Sequence, residues 1–253
     1  MIERRAIDLG TTVAGVRLPF CAMNASGAWS STAAELRALA QSGTGAIVLK
    51  TATLHPFIHP QYRSLHNPGY DKYLPLLREL VASAPCPVIA SIAGATPDEY
   101  GTLAHAFAEA GAALVEANLA DPWVTATLAP FEDRDALRVV LRKLVASDVP
   151  VAVKLPDRPG VPYGILGVEL AEAGVRVLVA KNDFAGLEKL RLEAGGRFEL
   201  VAFGGIASGY DVTRALAKGA RAVQVGSALV DEGPALFARL AREMRVARGE
   251  RRE

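Results

Sequence analysis

Four stretches of the chain repeat one pattern of apolar and polar positions: ALAQSGTGAIVLK at 38–50, AFAEAGAALVEAN at 106–118, ELAEAGVRVLVAKN at 169–182 and ALAKGARAVQVGS at 215–227. Each is the end of an Ala/Leu-rich helix, a glycine, a short turn and an apolar run closed by a polar residue or glycine. Gly43, Gly111, Gly174 and Gly219 stand where a helix ends in the left-handed conformation, which glycine adopts without a Cβ clash. Apolar residues at consecutive rather than alternating positions predict strands buried on both faces, as in a parallel sheet.

Those units place strands at 45–50, 112–117, 176–181 and 221–225, and further apolar runs place strands at 20–24, 87–92, 150–155 and 199–203. Helices are expected at 32–41, 71–83, 97–110, 133–146, 162–173, 184–194, 209–218 and 233–246. Thr96, Pro97, Asp98 and Glu99 form a helix start of the right polarity, with proline in the first turn. Eight regularly spaced β/α units favour a closed barrel over its rival, an open doubly wound sheet. The expectation is therefore an α/β fold, a (β/α)₈ TIM barrel forming one domain over residues 1–253. The opening AIDLGTTVAGVRL would form a short N-terminal hairpin that plugs the barrel's bottom.

Composition narrows the function. Half the residues are hydrophobic and the net charge is +1, so there is no basic field for nucleic acid and no acidic tail. The apolar runs are strand-sized, so no membrane span is expected. The amino terminus lacks the apolar stretch of a signal peptide, and two cysteines, Cys21 and Cys86, make no disulfide framework. A cytoplasmic protein acting on a small molecule is the reading, with a homo-oligomer expected.

Barrel active sites lie at the carboxyl ends of the strands. That rule selects Lys50, Asn118, Lys154 and Asn182. The chain has only seven lysines, and parity points Lys50 inward with Ala46 and Val48, and Lys154 inward with Ala152. An apolar strand terminus is a poor place for a lysine without a task. Strands seven and eight run into Gly204-Gly205-Ile206-Ala207-Ser208-Gly209 and Gly226-Ser227-Ala228, turns that let backbone N–H groups approach a phosphate. Glu116 and Gln224 also have inward parity, and Glu116 with Lys154 is a candidate buried pair of structural character. His55, His59 and His66 cluster after strand two, but match no standard zinc spacing. Trp29, Trp123, Tyr62 and Tyr163 fall in top-side loops, either packing there or covering a flat ligand.

These residues carry a resemblance to the dihydroorotate dehydrogenase family that runs nearly end to end. It rests on MNASG at 23–27, GAIVLKTAT at 45–53, LHNPGYDKYL at 65–74, PVIASIAG at 87–94, VEANLADP at 115–122, VAVKLP at 151–156 and FGGIASGYDVTRALAKGARAVQVGSALVDEGPALFARL at 203–240. The resemblance implies an FMN over the top of the barrel and oxidation of dihydroorotate to orotate in pyrimidine biosynthesis. Ala25, Ser26, Thr51 and Asn118 match flavin contacts. Lys154 matches the lysine that stabilises negative charge on reduced flavin. Lys50 matches the lysine reaching both flavin and the substrate carboxylate, and Gly204, Gly205, Gly226 and Ser227 match the phosphate cradle. Asn118 and Asn182 match asparagines that hold the substrate. Some relatives pass electrons to a second, iron–sulfur flavoprotein subunit.

The chain departs from the family in the substrate half. Where the family has Asn-Leu-Ser-Cys-Pro-Asn, with cysteine or serine as base, this chain has Asn118-Leu119-Ala120-Asp121-Pro122-Trp123. Asp121 thus occupies the base position. After strand two the substrate asparagine is replaced by Gln61, and a Met-Gly pair by Arg63-Ser64, making Arg63 a candidate carboxylate or phosphate clamp. The family's long excursion between strands six and seven is reduced to about twenty residues, between Asn182 and Phe203. Two alternatives therefore stand beside dihydroorotate oxidation: a flavin oxidoreductase on another cyclic acid or amide, or a phosphate-ligand-binding barrel without flavin.

Overall fold

The computed structural model describes residues 7–58, 66–119, 133–156, 163–182, 188, 192 and 195–247. The chain opens with an antiparallel hairpin, β1 (Thr11–Val13) and β2 (Val16–Leu18). It turns through Ala14 and Gly15 at φ 48° and 84°. Left-handed conformation at both central positions is the turn whose twist matches the flanking strands. Glycine takes it freely, whereas Ala14 holds its Cβ in an unfavourable position.

Eight parallel strands follow among the described residues: β3 (Ala22–Asn24), β4 (Ile47–Val48), β5 (Val88–Ile92), β6 (Leu114–Asn118), β7 (Val151–Lys154), β8 (Val177–Lys181), β9 (Glu199–Phe203) and β10 (Ala220–Val225). Between them run α1 (Ala33–Ala40), α2 (Leu74–Ser83), α3 (Pro97–Glu109), α4 (Arg134–Val145), α5 (Tyr163–Glu172) and α6 (Gly209–Ala217), and after β10 come α7 (Ser227–Glu232) and α8 (Leu236–Ala247). Start signals are local: Thr32 and Glu35 make a capping box on α1, Thr96 caps α3, and Ser208 with Asp211 boxes α6. The strands are ordered β3-β10-β9-β8-β7-β6-β5-β4, the sequence of a barrel opened at one seam.

Alternate strand residues divide into two layers. Ile47, Ala90, Val115, Val153, Leu178, Ala202 and Val223 face the helices. Met23, Ala46, Val48, Ile89, Leu114, Ala152, Val177, Val179, Val201 and Ala222 fill the barrel, where Val13 and Leu18 of the hairpin join them. The hairpin therefore seals the bottom, as its sequence suggests.

The seam between β3 and β4 closes by an unusual device. One backbone bond crosses it, from Gly45 N–H to the Ala22 carbonyl at 2.8 Å. Beyond that the Asn24 side chain takes the place of a ladder: its Oδ1 accepts from Val48 N–H at 2.8 Å and its Nδ2 donates to the Val48 carbonyl at 2.7 Å. The strands meet so closely that a Cβ on Gly45 would lie 1.7 Å from the Phe20 carbonyl oxygen.

Three boundaries differ from the sequence expectation. The second barrel strand is only Ile47–Val48 in the ladder, although Leu49 and Ala52 N–H still donate to β5 carbonyls at 2.9 Å. A 3₁₀ turn, Tyr70–Lys72, precedes α2. The last helix begins at Leu236, because α7 and a left-handed Gly233 occupy the chain before it. Most of the helix expected at 184–194 lies outside the described residues.

Candidate functional site

The inward parity of the strand ends brings a polar ring to the barrel's upper mouth. Asn118 and Lys154 sit side by side in the β6–β7 register, and both are about nine-tenths buried. Lys154 Nζ donates to Gln224 Oε1 at 3.3 Å, lies 3.9 Å from Glu116 Oε1, and stands over the Phe203 ring at 4.7 Å from its centroid. Gln224 Nε2 donates to Glu116 Oε2. A lysine can only donate, so the Gln224 oxygen must face it and the Gln224 amino group must face the carboxylate. The expected Glu116–Lys154 pair therefore forms, with Gln224 bridging it.

A second arm continues around the mouth. Ser91 Oγ donates to Glu116 Oε1 at 3.3 Å, and Thr51 Oγ1 lies 3.0 Å from Ser91 Oγ. Ser26 Oγ is 3.1 Å from Thr51 Oγ1, which also accepts from Asn118 Nδ2 at 3.0 Å. Four candidates, Ser26, Thr51, Asn118 and Lys154, are thus gathered in one polar network; Ala25 precedes Ser26 and its carbonyl accepts from the seam residue Asn24 at 3.2 Å. Lys50 ends the β4 segment with the inward parity of Ala46 and Val48, and is 8% exposed. Asn182 follows β8. Its N–H donates to the Phe203 carbonyl at 2.6 Å, while both polar atoms of its side chain are buried without a hydrogen-bond partner.

The glycine turns stand on the adjoining strand ends. Gly204 and Gly205 have φ of 83° and 65°, a region hostile to any Cβ. A Cβ on Gly205 would meet no atom within 4 Å, so space lies open before this turn. Across from it, Gly226 precedes α7, which starts at Ser227 with no side-chain cap on its first turn. Gly209, in contrast, serves packing: a Cβ there would lie 2.7 Å from that of Glu243 on α8.

Sequence reasoning missed two features. Lys181 ends β8 with the same parity as the barrel-filling Val177 and Val179, and its Cγ passes 3.8 Å from the place a Cβ would take on Gly204. It has a parity signal, but the strand-end rule selects Asn182, one residue beyond it. The hydroxyl chain Ser26–Thr51–Ser91 had no such signal, because it joins three different strand ends. Trp29 packs against the core and against Gly233. Asp121, Gln61, Arg63, Trp123, His59 and Tyr62 lie outside the described residues. Among the described residues no cluster of His, Cys, Asp and Glu is arranged to hold a metal, and no helix is long and apolar enough to cross a membrane.

A family model described as dihydroorotate dehydrogenase matches residues 178–247, from β8 through α8. A putative dihydroorotate dehydrogenase A (fumarate) of Aeropyrum pernix is 30% identical to the chain, over 90% of this chain and 88% of that protein. The chain belongs to the dihydroorotate dehydrogenase family. This dihydroorotate dehydrogenase-family chain is also 28% identical to the catalytic subunit of dihydroorotate dehydrogenase B (NAD(+)) from Methanothermobacter thermautotrophicus, over 92% and 91% of the two. A dihydroorotate dehydrogenase of Eimeria tenella, solved with ferulenol, superposes with a TM-score of 0.83 at 16% identity, covering 96% of this chain and 85% of that one. That likeness concerns the fold. Membership makes the chain an oxidoreductase by family, with the polar mouth described above in the place where barrels carry their chemistry.

Proposed function

We propose that the chain is an FMN-dependent oxidoreductase that converts dihydroorotate to orotate. The observation that carries this reading is that Lys50, Lys154, Asn118 and Asn182 stand at the carboxyl ends of the barrel strands together with the open Gly204-Gly205 turn and Gly226. The residues fit FMN. Gly204, Gly205 and the uncapped start of α7 at Gly226 and Ser227 suit a phosphate, since backbone N–H groups and the positive end of a helix favour an anion. The unpartnered amide of Asn182 fits a planar polar ligand, because a buried amide without a partner is costly until something supplies one.

When bound, FMN supplies a two-electron acceptor. Lys154, oriented by Gln224 and Glu116, would supply it with a fixed cation, so that no solvent would have to reorganise as charge develops. Ala25, Ser26, Thr51 and Asn118 would hold the cofactor. Lys50 would bind the substrate carboxylate, and Asn118 and Asn182 would hold its amide edge; Gln61 and Arg63 are assigned to the substrate by the family resemblance alone. Asp121 removes the proton from the substrate carbon next to the one oxidised.

Asp121 also supports a second reading. Its negative charge and the bulk of Trp123 suit a cyclic amide or acid other than dihydroorotate, oxidised by the same cofactor half. One experiment separates the readings. The purified protein should carry flavin absorbance, or regain it with added FMN; a colourless protein that cannot be reconstituted removes both, leaving a phosphate-ligand-binding barrel without flavin. If flavin is present, anaerobic dihydroorotate should bleach it, and no bleaching over minutes would reject dihydroorotate in favour of the second reading. Asp121→Asn should abolish this bleaching while leaving flavin bound. Reoxidation by fumarate or by NAD(+) distinguishes the two acceptor classes named among the relatives.

A further inference from the structure

We propose that Glu116 is a positioning residue that fixes the Lys154 ammonium and, through its own charge, sets how strongly the site favours reduced over oxidised flavin. The inference rests on the flavin reading above and goes beyond it, since Glu116 itself touches neither cofactor nor substrate in that reading.

The geometry identifies Glu116 as an acceptor from every side. Gln224 donates to one of its oxygens, and Ser91 donates to the other at 3.3 Å. The single Ser91 proton is thereby committed, so Ser91 accepts from Thr51 at 3.0 Å and Thr51 in turn accepts from Ser26 at 3.1 Å. With Glu116 ionised, all three hydroxyls point the same way, toward the carboxylate.

That charge sits in a place where it counts. Glu116 is 1% exposed, and beneath it the barrel is filled by Leu114, Ala152, Val179 and Val201. The cavity that Glu116 and Gln224 share with those residues measures about 20 Å³, room for one water. Charges in such surroundings are weakly screened. With Glu116 Oε1 3.9 Å from Nζ, the Lys154 cation reaches the mouth partly neutralised. A full cation would favour the negative charge of the reduced flavin more strongly; the Glu116 carboxylate holds that preference down.

The test is the midpoint potential of the bound flavin, measured anaerobically by reductive titration against a reference dye, with no substrate or electron acceptor present. Glu116→Gln keeps shape and hydrogen bonding, because the new amide can donate to Ser91 and the hydroxyl chain can reverse. It should raise the affinity ratio of reduced over oxidised flavin at least tenfold, an upward shift of about 30 mV for a two-electron couple. Glu116→Asp keeps the charge and should stay within threefold of the parent. A Gln variant within threefold of the parent, or an Asp variant that moves as far as the Gln variant, overturns the proposal. If Glu116→Gln does not fold, the Glu116→Met/Lys154→Met double variant is compared with Lys154→Met alone. The double variant should show the same upward change, and equal potentials overturn the proposal. A parent protein that binds no flavin defeats the functional reading and this inference together. Bound flavin with an unmoved potential defeats this inference alone.

Discussion

Replacing Asn24 with alanine tests how the barrel is closed. Asn24 is fully buried, and its amide satisfies both backbone groups of Val48, itself 0% exposed, at 2.8 and 2.7 Å. Alanine leaves a buried N–H and a buried carbonyl without partners. Each orphan costs about 1–3 kcal/mol, so the pair costs about 2–6 kcal/mol, with about 4 as the central value. The longer bonds from Nδ2 to the Ala28 and Ala25 carbonyls, at 3.3 and 3.2 Å, add little. Against a typical total of about 5–15 kcal/mol this is a large loss.

The measurement is urea unfolding followed by far-ultraviolet circular dichroism, with midpoint and slope both fitted. We expect a lower midpoint with an unchanged slope, together with faster hydrogen exchange at the Val48 amide. Asn24→Asp sharpens the test. It keeps the acceptor for Val48 N–H but sets a buried carboxylate oxygen against the Val48 carbonyl, so its cost should match or exceed that of alanine. A loss below about 1 kcal/mol for Asn24→Ala, or a well-tolerated aspartate, would refute the two-sided bridge. Because Ala25 and Ser26 follow directly, flavin retention should fall along with stability.

Two further outcomes follow from local chemistry. Ala14→Asn creates an Asn-Gly pair in the hairpin turn where Ala14 stands at φ 48°, and should stabilise the fold by about 0.5–1 kcal/mol. A thermal melt should rise by about 1–4 °C, and an unchanged or lower midpoint would deny strain at Ala14. The second outcome concerns alkaline pH. Burial pushes the Cys86 thiol up to about 11 from an ordinary 9.0, so the folded state keeps a proton that the unfolded chain releases. That contribution to stability is complete below pH 9 and is lost as pH rises to about 11, at close to 1.4 kcal/mol per unit in between. Burial also raises Tyr73, to about 12, which extends the decline above pH 10. Cys86→Ala should flatten the unfolding free energy between pH 9 and 10; a slope equal to the parent's would exclude the thiol as its source.

Strand ends were legible in the sequence because a strand has a two-residue period, and that period gives each side chain a direction. Lys154, Glu116 and Gln224 take the inward direction their parity assigns, and the Glu116–Lys154 pair follows from two such assignments on adjacent strands. Asn24 shows where this reasoning stops. Its parity relative to Met23 points it away from the barrel interior, and the task it performs depends on the spacing between β3 and β4, which no single strand encodes. The same holds for Ser26, Thr51 and Ser91, whose hydroxyls meet only once three strands are assembled. The short helix α7 spans six residues, too few for a helical period to stand out from the glycine turn before it.

The two halves of the site divide along this line. Most of the proposed cofactor half stands on or beside strand ends, where side-chain direction follows from the fold. Much of the proposed substrate half, Asp121, Trp123, Gln61 and Arg63, falls in the sequence after β4 and β6, where no strand period assigns a direction. A barrel permits this separation because its loops change without disturbing the packed layers beneath them. Changes at Glu116 and Lys154 should therefore register in flavin potential and affinity whatever the substrate is. Changes at Asp121 should register only when substrate is added.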